Sequence, residues 1–296
     1  MHEAAVIVAA FSWSAGFVIS RPLLAHLSVF RTNLLRLLPS ALIFPILLMT
    51  LGLGSTLGEF GWHNYAALIA SAFVGIGLAD AGMIHSMRLI GLARAYTLGN
   101  FATLFAVLWA WLILDEAVSL TLVWAAVITV GGVALVTSRG GAGQGESEFG
   151  TRRFWLGVAL ASGVAAVWGL DLVLIRIGIG DGHPVAANAV RMPASLVVAG
   201  IALLAREPPG TPRRMPTRAQ TLRGLLGGAV GITFSALLIF FAIQEIGAAR
   251  VGVLAALSPV FGLLLATLFL DEKPSRRQAL GVIVAVGGVI LLLTAA

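Results

Sequence analysis

Few ionisable residues interrupt the long apolar runs of this 296-residue chain, and Asp80 is the most deeply placed of them. It stands in the segment 77–82, eight residues before Arg88, which is roughly 12 Å along a helix that rises about 1.5 Å per residue. An acid at that depth can hold a substrate amine or take up a coupling proton, because apolar surroundings favour the neutral carboxyl. A structural hydrogen bond, or an ion pair with Arg36 or His85, is the alternative.

Asp171 and two tryptophans form a second candidate group. Trp168 precedes Asp171 by three residues, so a helix presents both side chains on one face. Asp171 is predicted to contact a solute or to balance Arg176 at the rim of the membrane. Trp168 and its counterpart Trp13 can line a solute site, because indole offers a large apolar surface and one N–H donor. The alternative is that they pack between helices.

A third group combines an amide, a phenol and a hydroxyl. Tyr96 and Asn100 are four residues apart, hence neighbours on a helix, and both can hydrogen-bond a carboxylate or an amide. Ser258 precedes Pro259, whose ring frees a backbone carbonyl one turn earlier. That carbonyl is predicted to face a cavity, and a purely structural kink is the alternative.

Two duplicated motifs carry charge. Arg36 and Arg191 recur in an Asn-x-x-Arg pattern, which indicates a shared role in binding a backbone carbonyl or tying helices together. For Arg36, only five residues after Arg31, snorkelling to the headgroups is favoured. The acidic pairs 115–116 and 271–272 are expected to form turns and to cap the helices that follow them.

The composition indicates which kind of secondary-structure element positions these residues. Hydrophobic residues make up 59% of the chain, charged residues 11%, and the mean hydropathy is +0.99. Soluble domains average roughly 45–50% apolar and about 25% charged residues. A water-soluble enzyme and a disordered chain are therefore excluded, and an all-α integral membrane protein is predicted.

Ten apolar runs approach the roughly 20 residues that a membrane-spanning helix needs. They are approximately residues 4–20, 33–51, 65–87, 93–114, 118–138, 154–175, 185–205, 223–245, 248–270 and 276–295. Most of the connections between them are very short, and the two long ones are 138–153 and 206–223.

Basic residues predict the orientation. Of the 19 lysines and arginines, fifteen lie in the loops after the odd-numbered spans and two, Arg176 and Arg250, lie on the opposite side. The positive-inside rule then places the loops after the odd-numbered spans in the cytoplasm and both termini outside. The prediction is a multi-pass protein of a bacterial-type inner membrane with periplasmic termini.

The two halves of the chain are copies of each other. Residues 93–138 align without a gap on 249–294, with sixteen identities in 46 pairs. The predicted domains are a first five-helix repeat (1–140), a Gly-rich linker (141–152) and a second repeat (153–296). Five spans per repeat is an odd number, so the repeats must be inverted, which is typical of secondary transporters with a solute site near mid-membrane. A membrane scaffold that arose by duplication is the alternative.

The ordered motifs resemble the drug/metabolite transporter superfamily, in particular its ten-helix EamA branch. They are a Trp-containing first helix in each half, the early arginines Arg36 and Arg191, the Gly-x-Ala-Arg runs 91–94 and 247–250, the acidic turns, Ser258-Pro259, and the closing Gly-Gly pairs 131–132 and 287–288. The resemblance implies a ten-helix bundle around a central cavity that moves small metabolites, often by export, with amino-acid exporters as a prominent subgroup. The first half departs from the pattern, with Ala102-Thr103 in place of Ser258-Pro259.

Missing motifs exclude several other functions. The chain contains no cysteine, and its single lysine, Lys273, does not belong to a phosphate-binding loop. No His-x-x-x-His pair or nucleophile elbow occurs, and no nucleic-acid-binding module is present. We therefore predict no enzyme activity, no metal, no cofactor and no nucleic-acid partner.

The sequence thus predicts a secondary transporter that exports small organic metabolites, amino acids foremost, by alternating access. The predicted substrate-binding residues are Trp13, Asp80, Tyr96, Asn100, Trp168, Asp171 and Ser258, with Asp80 the candidate for proton coupling. Facilitated diffusion is equally open, as is a monomer or a weak homodimer in the lipid bilayer. Alternatives are export of cationic drugs or nucleotide-sugar-type solutes and, in another class, a non-transporting scaffold or receptor.

Overall fold

The computed structural model describes residues 1–137, 151–206, 215–269 and 274–294, and for a few helical residues, Asp80 and Tyr96 among them, the backbone alone. Every regular element within these ranges is helical. The α-helices are α1 (His2–Ser20), α2 (Val29–Thr50), α3 (Trp62–Ala72), α4 (Asp80–Ile90), α5 (Leu92–Gly99), α6 (Ala102–Leu114), α7 (Leu120–Thr137), α8 (Thr151–Ile179), α9 (Pro184–Arg206), α10 (Arg218–Gly228), α11 (Ser235–Ala255), α12 (Ser258–Phe269) and α13 (Arg276–Thr294). The predicted linker 141–152 lies almost entirely outside the described residues.

Nine described segments are long and apolar enough to cross a membrane. The longest of them, Arg218–Ala255, has 38 residues and contains Gly247, where φ is 82° and the helix is kinked. The predicted eighth and ninth spans therefore meet at Gly247, and the ninth continues into the shorter apolar helix α12. The all-α integral membrane fold is confirmed, and the described spans are consistent with the predicted ten.

One π-helical segment interrupts the third span of each repeat. The two segments are Phe73–Ala79, between α3 and α4, and Ala229–Phe234, between α10 and α11. The second segment begins 156 positions after the first, so it occupies the equivalent place in the second repeat. Hydropathy does not reveal such segments, since the period of the apolar pattern barely changes over one turn. They are frequent at functional sites.

The described chain divides into two compact units, each taking segments from both sequence repeats. The first unit comprises 1–77 and 174–246, and the second comprises 78–173 and 247–296. The repeat boundaries themselves stay a prediction, because they describe a relation between sequences and the units describe spatial contact.

Small residues let α1 approach the α10–α11 segment in the first unit. The hydroxyl of Ser12 donates to the carbonyl of Val230 at 2.6 Å, and that of Ser235 donates to the carbonyl of Ala9 at 2.8 Å. A Cβ built at Gly231 would lie 2.8 Å from the Cα atom of Gly16. The two backbones therefore touch where a side chain would separate them.

Both duplicated arginines are buried in the first unit. The Arg36 guanidinium carbon lies 5.9 Å from the ring centroid of Trp13 and 5.6 Å from that of Phe17. The prediction that Arg36 snorkels is therefore wrong, because aromatic faces hold the cation inside the protein. Arg191 donates from Nε to the Ser71 hydroxyl at 2.6 Å and lies 5.8 Å from the Phe240 ring centroid. The pair ties helices together, as the recurrence indicates.

In the second unit, α7 and α13 pack closely through one glycine of each Gly-Gly pair. A Cβ at Gly132 would meet the backbone of Gly281 and Ala285, and a Cβ at Gly288 would meet Ala125 and Thr129. These contacts exchange under the repeat offset of 156 positions, so this helix pair obeys the pseudo-twofold relation that an inverted repeat requires. The predicted close packing is confirmed.

Candidate functional site

The structure places six of the seven predicted residues in the second unit and Trp13 in the first. The indole of Trp13 is 47% exposed and lies against Arg36. The side chains of Asp80 and Tyr96 lie outside the described residues, and their backbones belong to α4 and α5. Their predicted roles therefore stay predictions.

The predicted fourth span is interrupted at Asn100. Helix α5 ends at Gly99 and α6 begins at Ala102. At the junction the N–H of Phe101 donates to the carbonyl of Leu98, three residues earlier, at 3.1 Å. The interruption is a single tightened turn, which the apolar pattern of the sequence does not show.

The same turn recurs in the second repeat between α11, which ends at Ala255, and α12, which begins at Ser258. The N–H of Leu257 donates to the carbonyl of Leu254 at 3.2 Å, a bond that matches the first one at the repeat offset of 156 positions. Interrupted membrane helices are typical of solute sites in secondary transporters, and tightened turns within helices often mark hinges. Asn100 and Ser258, which the sequence predicts to contact the solute, both stand at these turns.

Ser258 and Pro259 act together on one carbonyl. Pro259 lacks the N–H that would reach the carbonyl of Ala255, and the Ser258 hydroxyl donates to that carbonyl at 2.7 Å instead. The freed carbonyl at the end of α11 is thereby bonded by the first residue of α12. This contact agrees with the structural alternative for the pair.

Two threonines that the sequence reasoning missed surround Asn100. The amide nitrogen of Asn100 donates to the hydroxyl of Thr137 at 3.4 Å, and the hydroxyls of Thr97 and Thr137 are 3.2 Å apart. The Thr137 hydroxyl also donates to the carbonyl of Val133 at 3.0 Å. A hydroxyl–amide cluster therefore lies at the interrupted turn. Thr97 carried a usable signal, since it precedes Asn100 by three residues, whereas Thr137 belongs to a distant helix.

Trp168 borders the same turn. A Cβ at Gly99 would lie 3.1 Å from ring atom Cζ3 of Trp168, so the missing side chain makes room for the indole. The half-buried ring packs on an apolar cluster that includes Met83, Ala95 and Val164. The structure thus brings Trp168 beside the turn that carries Asn100, and it places Asp171, also half-buried, nearly one turn further along α8.

The expectation that Glu116 caps the helix that follows it is wrong, because its carboxylate bonds elsewhere. Its two carboxylate oxygens accept hydrogen bonds from the N–H groups of Ala248 and Ala249, at 2.8 and 3.1 Å. The following helix, α7, is instead capped by Ser119, whose hydroxyl accepts from the N–H of Leu122 at 3.1 Å. An acid of the first repeat therefore caps a helix start in the second.

Glycine makes this contact possible. Gly247 has a φ of 82°, a backbone conformation that L-residues rarely adopt, and a Cβ there would lie 2.8–3.0 Å from the Glu116 carboxylate. Gly91, its counterpart in the first repeat, also has a φ of 82°. The acidic pair 271–272 lies outside the described residues.

No three His, Asp or Glu side chains converge as a metal site anywhere in the described part of the chain. The arrangement offers one hydrogen-bonding side-chain amide, hydroxyls, an indole and two interrupted helices. Such a set can bind a small polar solute without covalent chemistry.

The EamA-like transporter family model matches residues 2–138 and 155–294, which is nearly the whole chain in two passes. The chain belongs to the EamA-like transporter family. The predicted resemblance is confirmed.

Two related proteins carry names. This EamA-like chain is 32% identical over 139 residues to a protein of Streptantibioticus cattleyicolor named "Probable terminal-alkyne amino-acid exporter", covering 44% of the chain and 45% of that protein. It is 28% identical over 235 residues to an "Uncharacterized transporter" of Methanothermobacter thermautotrophicus, covering 78% of the chain and 65% of that protein. The matched part thus spans less than two thirds of either relative's length.

A solved crystal structure shares the fold of this EamA-like chain. The TM-score is 0.77 at 18% sequence identity, and the match covers 100% of this chain and 99% of the other. Similarity at this identity supports the architecture and carries nothing about the solute.

Proposed function

We propose that this EamA-like protein is a secondary transporter that exports small organic metabolites, with amino acids as the first class to test. The match of the family model to both halves of the chain carries the transport part of the proposal. The amino-acid part is supported by the relative named as an amino-acid exporter.

The hydroxyl–amide cluster of Thr97, Asn100 and Thr137 is the proposed polar contact for the solute. Its groups both donate and accept hydrogen bonds, which suits the carboxylate and the amino group of a zwitterion. The indole of Trp168, beside the same turn, would pack on the apolar part of the solute. Trp13, Tyr96, Asp171 and Ser258 remain proposed lining residues.

Asp80 is the proposed site of proton coupling. It is the first residue of α4 and directly follows the π-helical segment Phe73–Ala79, a kind of segment that is frequent at functional sites. If Asp80 carries the coupling proton, transport by Asp80→Asn will lose its dependence on a pH gradient. An unchanged dependence refutes the coupling role and favours facilitated diffusion.

Alternating access needs places where the backbone can change conformation. The chain passes between the compact units at the π-helical segment Phe73–Ala79, within α8 and at Gly247. Two of these three places have backbone that is not α-helical, which lets a few residues absorb a change in φ and ψ. We propose them as hinges of the transport cycle.

A proteoliposome assay tests the function. Proteoliposomes that contain the purified protein are loaded with unlabelled amino acids. Counterflow of labelled amino acids is then measured with and without a pH gradient. A cationic dye and a nucleotide sugar are assayed in parallel. Amino-acid counterflow above that of empty liposomes supports the proposal. Flux of the dye or the nucleotide sugar alone favours the drug or nucleotide-sugar alternative, and no flux of any solute favours a scaffold or receptor.

The proposed location is a bacterial-type inner membrane with both termini in the periplasm. Fifteen basic residues against two support this orientation. A C-terminal reporter that is active only in the cytoplasm should stay silent, and activity there would overturn the topology.

A further inference from the structure

An open cavity of about 260 Å³ lies at one end of the first unit. Its walls are Pro22, Leu23 and His26, which follow α1, and Ala219, Gln220 and Arg223 of α10. One candidate span, His2–Ala25, ends at this cavity, and another, Arg218–Ala255, begins there. The cavity therefore lies where one candidate span ends and another begins.

The surroundings of the cavity are positive. His26, in the segment after α1, and Arg223, in α10, both line it, and Arg21 and Arg218 belong to the same two segments. The sequence contains no Asp or Glu between positions 4 and 58 or between 208 and 244. A group of negative charge is therefore the ligand that this cavity favours.

One wall is held in place by a helix cap. The hydroxyl of Thr217 accepts from the N–H of Gln220 at 3.3 Å, and Oε1 of Gln220 accepts from the N–H of Thr217 at 2.9 Å. This reciprocal capping box fixes the first turn of α10. Arg223, one turn later, therefore projects from a rigid base.

Two large, exposed apolar side chains are adjacent in sequence to residues that line the cavity. Leu24, in the wall segment after α1, is 41% exposed, and Leu222, beside Arg223, is 67% exposed. A free anion has no use for such neighbours, whereas the acyl chains of a lipid would cover them. The combination of a basic cavity and exposed apolar neighbours fits a lipid better than free phosphate.

We propose that this cavity binds the phosphate headgroup of an anionic phospholipid, which would lie in the cytoplasmic leaflet in the predicted orientation. Arg223 and the His26 imidazole donate to the phosphate oxygens. The acyl chains run along Leu24 and Leu222. Basic recesses between membrane helices are suited to such headgroups.

Native mass spectrometry of the full-length protein in detergent tests the proposal by titration with phosphatidylglycerol and with phosphatidylcholine. We expect saturable, preferential binding of phosphatidylglycerol. The double variant Arg223→Gln/His26→Gln should bind it roughly tenfold more weakly, because the loss of a charged hydrogen bond has that order of effect. Arg218→Gln removes an exposed arginine of the same helix that does not line the cavity, and it should stay within about twofold of the unmodified protein.

Three outcomes overturn the proposal. They are equal binding of the two lipids by the unmodified protein, an equal loss in Arg218→Gln, and displacement of the lipid by inorganic phosphate at millimolar concentration, which would indicate a free-anion site. If the double variant does not fold, Ala219→Glu, which places an acid in the cavity wall, should produce the same selective loss. Retention of phosphatidylglycerol by a folded Ala219→Glu protein also contradicts the proposal.

Discussion

The Oε1 atom of Glu116 accepts a hydrogen bond from the backbone N–H of Ala248 at 2.8 Å, although 132 positions separate the two residues. The second oxygen accepts from Ala249, so one carboxylate satisfies two of the amide groups that a helix start leaves exposed. A negative charge at this end also complements the helix dipole. The contact joins the turn after α6 to the start of the ninth predicted span, directly after the kink at Gly247.

Removing the charge of Glu116 should weaken the second unit. Glu116→Gln keeps one acceptor and loses the charge, and we expect a loss of about 1–2 kcal/mol of stability. Thermal unfolding of the detergent-purified protein, followed by tryptophan fluorescence, measures it. The exposed Glu59 provides the matched control, since Glu59→Gln should leave the unfolding temperature unchanged. Equal effects of the two variants would contradict the capping role.

Glycine substitutions should follow a graded order. Gly247→Ala introduces both a strained φ and a contact with the Glu116 carboxylate, and it should cost about 1–3 kcal/mol. Gly91→Ala introduces the same φ strain into open space, so its cost should be smaller. Gly262→Ala, in α12, meets neither problem and should be neutral or stabilising. The same unfolding assay ranks the three variants, and a Gly262→Ala defect as large as that of Gly247→Ala would refute the argument.

The Gly-Gly pairs should respond unequally. Gly132→Ala and Gly288→Ala each insert a methyl group into the α7–α13 contact and should cost about 1–3 kcal/mol. Gly131 and Gly287 have no atoms within contact distance of a Cβ, so alanine at either position should be tolerated. Monodispersity in size-exclusion chromatography and the unfolding temperature measure the difference. Equal tolerance at all four positions would show that this helix contact does not limit stability.

Arg191 should not be replaceable by lysine. Its Nε donates to Ser71 and its planar guanidinium lies against Phe240, and an ammonium group reproduces neither contact at the same position. We expect Arg191→Lys to lose about 1–3 kcal/mol of stability. Arg218→Lys, at an exposed position, serves as the control. A fully stable Arg191→Lys protein would mean that charge alone suffices at this site.

The hydroxyl–amide cluster should affect solute affinity. Asn100→Leu and Thr137→Val each remove part of it, and either should raise the KM of counterflow roughly three- to tenfold. Trp168→Phe should raise KM for solutes with large apolar parts. The control Trp124→Phe changes an indole that is 60% exposed on α7 and should transport normally. Unchanged KM values in folded Asn100→Leu and Thr137→Val proteins would remove these residues from the proposed solute contact.

Much of the fold follows from the sequence because the membrane imposes its own pattern. Apolar run length reveals the spans, and the repeat offset identifies the matching helices, including the α7–α13 pair with Gly132 and Gly288. Asn100 and Ser258 were singled out from residue type alone, and both lie at interrupted turns. Polar residues are costly inside a membrane, so those that occur there are candidates for a function.

The missed features depend on partners distant in sequence. Nothing adjacent to Glu116 indicates that it binds Ala248, and the following helix was a plausible target for its cap. Snorkelling of Arg36 was expected from its nearness to Arg31, yet the aromatic rings of Trp13 and Phe17 hold it inside. The π-helical segments were missed because one extra residue in a turn leaves hydropathy unchanged.

The two tightened turns share a backbone hydrogen-bond pattern but no side chains. Residues 100–103 read Asn-Phe-Ala-Thr, and their counterparts 256–259 read Ala-Leu-Ser-Pro. Gene duplication thus left the same backbone geometry in both halves, formed by different side chains. Because the backbone geometry does not depend on one set of side chains, substitutions at the Asn100 turn can suit a new solute while the Ser258-Pro259 turn stays unchanged.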